Sequence, residues 1–118
     1  MKISASVHGV IDYATVLFLL FAPTLLGMQS EASIFTYVLS AIHLLLTLIT
    51  DFKAGVFRVV PFKIHGLIEI AVSALLLCIA VWFKSSGDKV AFNFYLFFSI
   101  VLFIVWLLSD YKAKRRHI

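Results

Sequence analysis

The chain has 118 residues, of which 63% are hydrophobic and only 14% charged. Soluble domains draw roughly 45–50% of their residues from apolar types, so this composition cannot clothe a soluble surface and marks an integral membrane protein of one domain, residues 1–118. The net charge of +4 comes from Lys and Arg outside the apolar runs, where it points to a cytoplasmic face and anionic lipid head groups and gives no reason to expect a nucleic-acid partner.

Four apolar runs are long enough to cross a bilayer as helices, which needs about 20 residues each. The first extends from about Val7 to Leu26, with His8 and Asp12 near its start. A cleaved signal peptide is set aside, because those two residues interrupt the apolar stretch and three further runs follow. Gly27 to Glu31 forms a short hairpin connection to the second run, Ala32 to Thr50, which holds His43 and no formal charge. A longer connection follows, Asp51 to Pro61, reading DFKAGVFRVVP. Its mixture of Phe and Val with Lys53 and Arg58 suits a segment lying in the head-group layer, and Pro61 suits the opening of a helix. The third run, Ile64 to Phe83, carries His65 and Glu69 near its start; Lys84 to Lys89 then leads to the fourth, Val90 to Ser109. Continuous apolarity without two-residue alternation selects helices over barrel strands.

If the four helices cross in turn, Lys2, Lys53, Arg58, Lys63, Lys112, Lys114, Arg115 and Arg116 share one side and Lys84 and Lys89 the other. That bias places both termini in the cytoplasm. The basic stretch from Lys112 to Arg116, like the middle connection, is expected to attract anionic lipid. Trp82 and Tyr95 suit an outer interfacial belt and Tyr111 an inner one. The aromatics Phe92, Phe94, Tyr95, Phe97, Phe98 and Phe103 read as a lipid-facing or dimer-facing stripe, and a homodimer is left open. Cys78, the single cysteine, reads as a small apolar filler.

The chain repeats itself. HGVID at His8–Asp12 returns 57 positions later as HGLIE at His65–Glu69, and TDFKA at Thr50–Ala54 returns 59 positions later as SDYKA at Ser109–Ala113. Each unit reads polar start, helix, hairpin, helix, acidic end. Two crossings per unit give both copies one orientation. The expected fold is therefore an all-α, four-helix transmembrane bundle of two tandem two-helix repeats, about 1–57 and about 58–118, with a pseudo-twofold axis along the membrane normal.

His8 and Asp12 stand at i, i+4 and share a helix face, as do His65 and Glu69. Asp51 and Asp110 end their helices on the same side, so the repeat is expected to gather two His and four carboxylates at one level, with Arg58 and Lys63 nearby. Gly9 and Gly66 would let the helices approach closely there. Such a cluster reads first as a structural clamp or a small-ligand pocket, second as a proton or ion relay for a carrier or channel, and third as a metal or haem site. The Glu-x-x-His spacing of di-metal bundles is absent. His43 is a candidate mid-membrane relay step, or a histidine bonded to a backbone carbonyl or hydroxyl of a neighbouring helix; the offset of 59 places Leu102 in its stead. No phosphate loop, zinc motif, serine elbow or CxxC occurs, so no enzyme activity and no cofactor are expected, with metal or haem left open.

VHGVIDY, Ala22-Pro23 with Gly27, and above all LITDFKAGVFRVVPFKIHGLIE resemble the bacterial SPW-repeat membrane proteins along nearly the whole chain. The tripeptide that names them reads Ala22-Pro23-Thr24 here and Ile79-Ala80-Val81 in the second copy. The resemblance implies a small four-span inner-membrane protein built from two copies of a two-helix unit, and implies no activity.

Overall fold

A computed structural model describes residues 2–112, so Lys114, Arg115, Arg116 and His117 of the basic tail lie outside the described residues. Four helices form a bundle: α1 (Ala5–Leu26), α2 (Ser30–Ile49), α3 (Phe62–Ser85) and α4 (Lys89–Leu108). All four are long and apolar enough to cross a membrane. Lengths of 20 to 24 residues give about 30–36 Å at roughly 1.5 Å per residue, matching a hydrocarbon core of about 30 Å.

Local chemistry sets the ends. The Ser4 hydroxyl accepts the Val7 N–H at 3.2 Å and opens α1. Gly27 closes it at φ +60°, a left-handed conformation that glycine enters without a Cβ penalty. Pro61 precedes the first residue of α3, and the Asp88 carboxylate accepts the Ala91 N–H at 3.1 Å to open α4.

α1 packs on α2, and α3 on α4, as two antiparallel hairpins. Each is fastened by a serine: Ser40 Oγ donates to the Val16 carbonyl at 3.0 Å, and Ser73 Oγ to the Ser99 carbonyl at 2.9 Å. In a bilayer, where lipid tails are as apolar as leucine, such polar clasps and close packing hold helices together. The hairpins meet through a core that includes Leu19, Leu76, Phe83, Phe94 and Tyr95. Tyr95 is fully buried and its hydroxyl meets that of Thr36 on α2. This corrects its assignment to an interfacial belt. Phe94 and Phe98 are likewise buried, while Phe97 and Phe103 remain exposed, so the α4 aromatics divide between core and surface and do not form one outward stripe.

At the end where α1 and α3 begin, short parallel pairings join the halves. Thr50–Asp51 (β1) pairs with Val60–Pro61 (β2), and Ile3 bridges Ser109. The 51–61 connection turns back on α2: Val56 and Phe57 N–H both donate to the Leu48 carbonyl, and Val59 N–H to that of Ile49. Val56, Phe57 and Val59 are left exposed.

Candidate functional site

The first turns of α1 and α3 bring His8, Asp12, His65 and Glu69 together in the interior, all at most 3% exposed. The i, i+4 spacing places each histidine over its own carboxylate, with Nε2 to oxygen distances of 3.3 Å for both His8–Asp12 and His65–Glu69. The hairpins then exchange partners. His8 Nε2 lies 2.9 Å from Glu69 Oε2, and His65 Nε2 lies 3.2 Å from Asp12 Oδ2. The two imidazole rings meet edge to face with centroids 5.2 Å apart.

His43 belongs to this group. From α2 its Nε2 reaches Asp12 Oδ1 at 3.4 Å, so its neighbour is a carboxylate and the expectation of a backbone or hydroxyl partner is corrected.

The outer nitrogens of His8 and His65 are held by hydroxyls from the opposite repeat. His8 Nδ1 is 2.7 Å from Ser109 Oγ, and His65 Nδ1 is 2.7 Å from Thr50 Oγ1. Each hydroxyl donates its own hydrogen to a helix carbonyl, Ser109 to Val105 and Thr50 to Leu46, at 2.6 Å in both cases. A hydroxyl has one hydrogen to give. Both must therefore accept from the imidazole, which puts a proton on Nδ1 and turns Nε2 towards the carboxylates.

Aromatic rings close the end of the bundle. Phe52 packs over Gly9 and beside His65; Tyr111 packs over Gly66 and beside His8. Phe62 lies between them, 4.6 Å from Tyr111 and 5.6 Å from Phe52 by ring centroids. A Cβ on Gly66 would stand 2.8 Å from the Tyr111 ring, and one on Gly9 would collide with Ala54. Both glycines are thus close-approach positions, but what approaches is the chain following α2 or α4, Ala54 and the Phe52 ring at Gly9 and the Tyr111 ring at Gly66, where helix-on-helix contact was expected. Burial, together with the nearby Glu69 carboxylate, pushes the Tyr111 hydroxyl above the ordinary tyrosine range. It stays a donor, 3.5 Å from Glu69 Oε2.

The remaining sequence candidates stand elsewhere. Asp51 is half-buried in β1 beside Pro61. Asp110 turns its Oδ1 to the Lys112 N–H. Arg58 is exposed at φ 44° and donates to the Gly55 and Lys53 carbonyls of its own loop. The expected ring of four carboxylates is therefore two. The chain becomes extended at Thr50 (ψ 139°) and Ser109 (ψ 146°), so the hydroxyl residues face the histidines and the aspartates after them do not. Thr50, Ser109, Phe52 and Tyr111 were all inside the repeated motif; the matched hydroxyl was the usable signal, and the matched acid drew the attention.

Among the described residues, His8 Nε2, Asp12 Oδ2, His43 Nε2, His65 Nε2 and Glu69 Oε1 are buried without a hydrogen-bond partner. The separations, 2.9 to 3.4 Å, are those of ion pairs. A crevice of about 50 Å³, bordered by Ile42, His43, His65, Ile68 and Glu69, reaches the group from between the helices.

No family model, curated protein or solved structure matches this chain.

Proposed function

We propose that this is a non-enzymatic, multi-pass protein of the bacterial inner membrane, akin to the SPW-repeat proteins, with both termini cytoplasmic and its basic segments on anionic lipid. Its function is to hold a cation in a buried centre at the junction of two helical hairpins. One observation carries the reading: two carboxylates lie buried against histidine Nε2 atoms whose orientation is locked from behind by Ser109 and Thr50. Two buried negative charges are tolerated in an apolar interior only beside compensating positive charge. Protons on the imidazoles or a metal ion would each supply it. Clamp and ligand pocket are then one object, because the cation that neutralises the centre also ties α1 to α3.

The test is removal of one carboxylate charge against removal of both. Glu69→Gln should lower stability in detergent, and Asp12→Asn combined with Glu69→Gln should cost less than the sum of the two, since the pair removes the need for a cation. Strict additivity, or silence of both single variants, would overturn the cation centre.

A second reading, a proton- or ion-coupled carrier, is favoured by His43, which extends the group along α2 beside the crevice. Its measurement is pH-driven flux in proteoliposomes, lost in His43→Ala at unchanged stability.

A further inference from the structure

Resting on the cation reading, we infer that the cation is a single divalent first-row transition-metal ion, bound by His8, His65, Asp12 and Glu69. The donor atoms have the spacing of a coordination shell. Metal–ligand bonds of about 2.0–2.2 Å put neighbouring donors of a tetrahedral to octahedral shell about 2.9–3.5 Å apart. The four nitrogen-to-oxygen separations among these residues run from 2.9 to 3.3 Å. One donor from each of His8, Asp12, His65 and Glu69 falls within 4.8 Å of all the others.

The unpartnered atoms point the same way. His8 Nε2, His65 Nε2 and Asp12 Oδ2 are buried, close to one another and without a hydrogen-bond partner. With Nδ1 protonated, a neutral ring keeps its lone pair on Nε2. Facing carboxylate oxygens, that lone pair is repelled unless a cation stands between. Metal-bound histidines characteristically donate their other N–H to an oxygen that fixes the ring, and Ser109 and Thr50 occupy that position.

Charge and donor chemistry narrow the ion. Two carboxylates and a divalent ion sum to zero, the favourable total in a medium that stabilises no net charge. Imidazole nitrogen mixed with carboxylate oxygen suits Zn²⁺, Fe²⁺ or Mn²⁺, and the absence of thiolate or thioether among the donors argues against Cu⁺. The rings are too close for a haem: imidazoles with centroids 5.2 Å apart, both touching Glu69 and Asp12, leave no plane for a macrocycle. The crevice beside His43 has room for a few waters next to the group.

The experiment uses the full chain purified in mild detergent. Elemental analysis should find one Zn, Fe or Mn per chain. After chelation, Co²⁺ should restore it with visible d–d absorption, absent in His8→Ala and His65→Ala. Where those variants fail to fold, Ser109→Ala and Thr50→Ala decide: each keeps every ligand, and each should weaken metal affinity about 10- to 100-fold, with Ser109→Thr recovering it. Equal affinity in Ser109→Ala and Thr50→Ala, or binding that survives Asp12→Asn with Glu69→Gln, would overturn the metal. A protein that takes no metal and shows both imidazoles doubly protonated by nitrogen NMR would overturn the metal and keep the cation centre. One with neutral imidazoles and no metal would remove both.

Discussion

The two halves of the chain meet their own copies at two places, and the places treat polarity in opposite ways. Towards the hairpin loops, Thr36 meets Tyr95, residues 59 positions apart and thus equivalent in the repeat. Thr36 gives its hydrogen to the Ala32 carbonyl at 2.7 Å and accepts that of Tyr95. The contact is neutral, satisfied and packed between Phe35 and Phe83. At the other end His8 meets His65, again equivalents, and buried polar atoms remain without hydrogen bonds. Both meetings join residues separated by the sequence offsets of the repeated motifs; side-chain chemistry decides whether the meeting is a closed seam or an open one.

Substitutions at the two ends should differ most sharply at Asp12, which stands against His8, His43 and His65. Asp12→Ala should cost about 3–5 kcal/mol, because it leaves buried groups uncompensated, read by unfolding in mixed detergent. Gly66→Ala should come next, at about 1–3 kcal/mol from overpacking, with the Tyr111 ring displaced and metal affinity reduced. At the seam, Tyr95→Phe should cost only about 0.6 kcal/mol, the usual worth of a hydrogen bond between membrane helices, and should leave metal content unchanged. Arg58→Ala should lie within about 0.5 kcal/mol of the parent and leave the centre intact. A Tyr95→Phe cost equal to that of Asp12→Ala would erase the distinction between seam and site.

The four helices were legible because apolar run length is a direct image of bilayer thickness. The i, i+4 pairs were legible because helix geometry relates them within one segment. His43 was not, since its approach to Asp12 depends on the register of α2 against α1, which no single helix encodes. Tyr95 misled for the same reason: an amphipathic ring suits an interface until Thr36 is placed beside it on another helix. Asp51 and Asp110 misled because one extended residue, Thr50 or Ser109, redirects whatever follows it. Phe62 corresponds at the offset of 57 to Ala5, so the ring between Phe52 and Tyr111 belongs to one copy only and could not be inferred from the repeat.

The crossed anchorage bears on how the protein is made. His65 in the second hairpin is held by Thr50 from the first, and His8 in the first by Ser109 from the second. When only α1 and α2 have entered the bilayer, Asp12 has His8 and His43 beside it but neither the ring of His65 nor the hydroxyl of Ser109. The first hairpin alone thus lacks one of the three imidazoles of Asp12, which comes with α3, and the hydroxyl that orients His8, which follows α4.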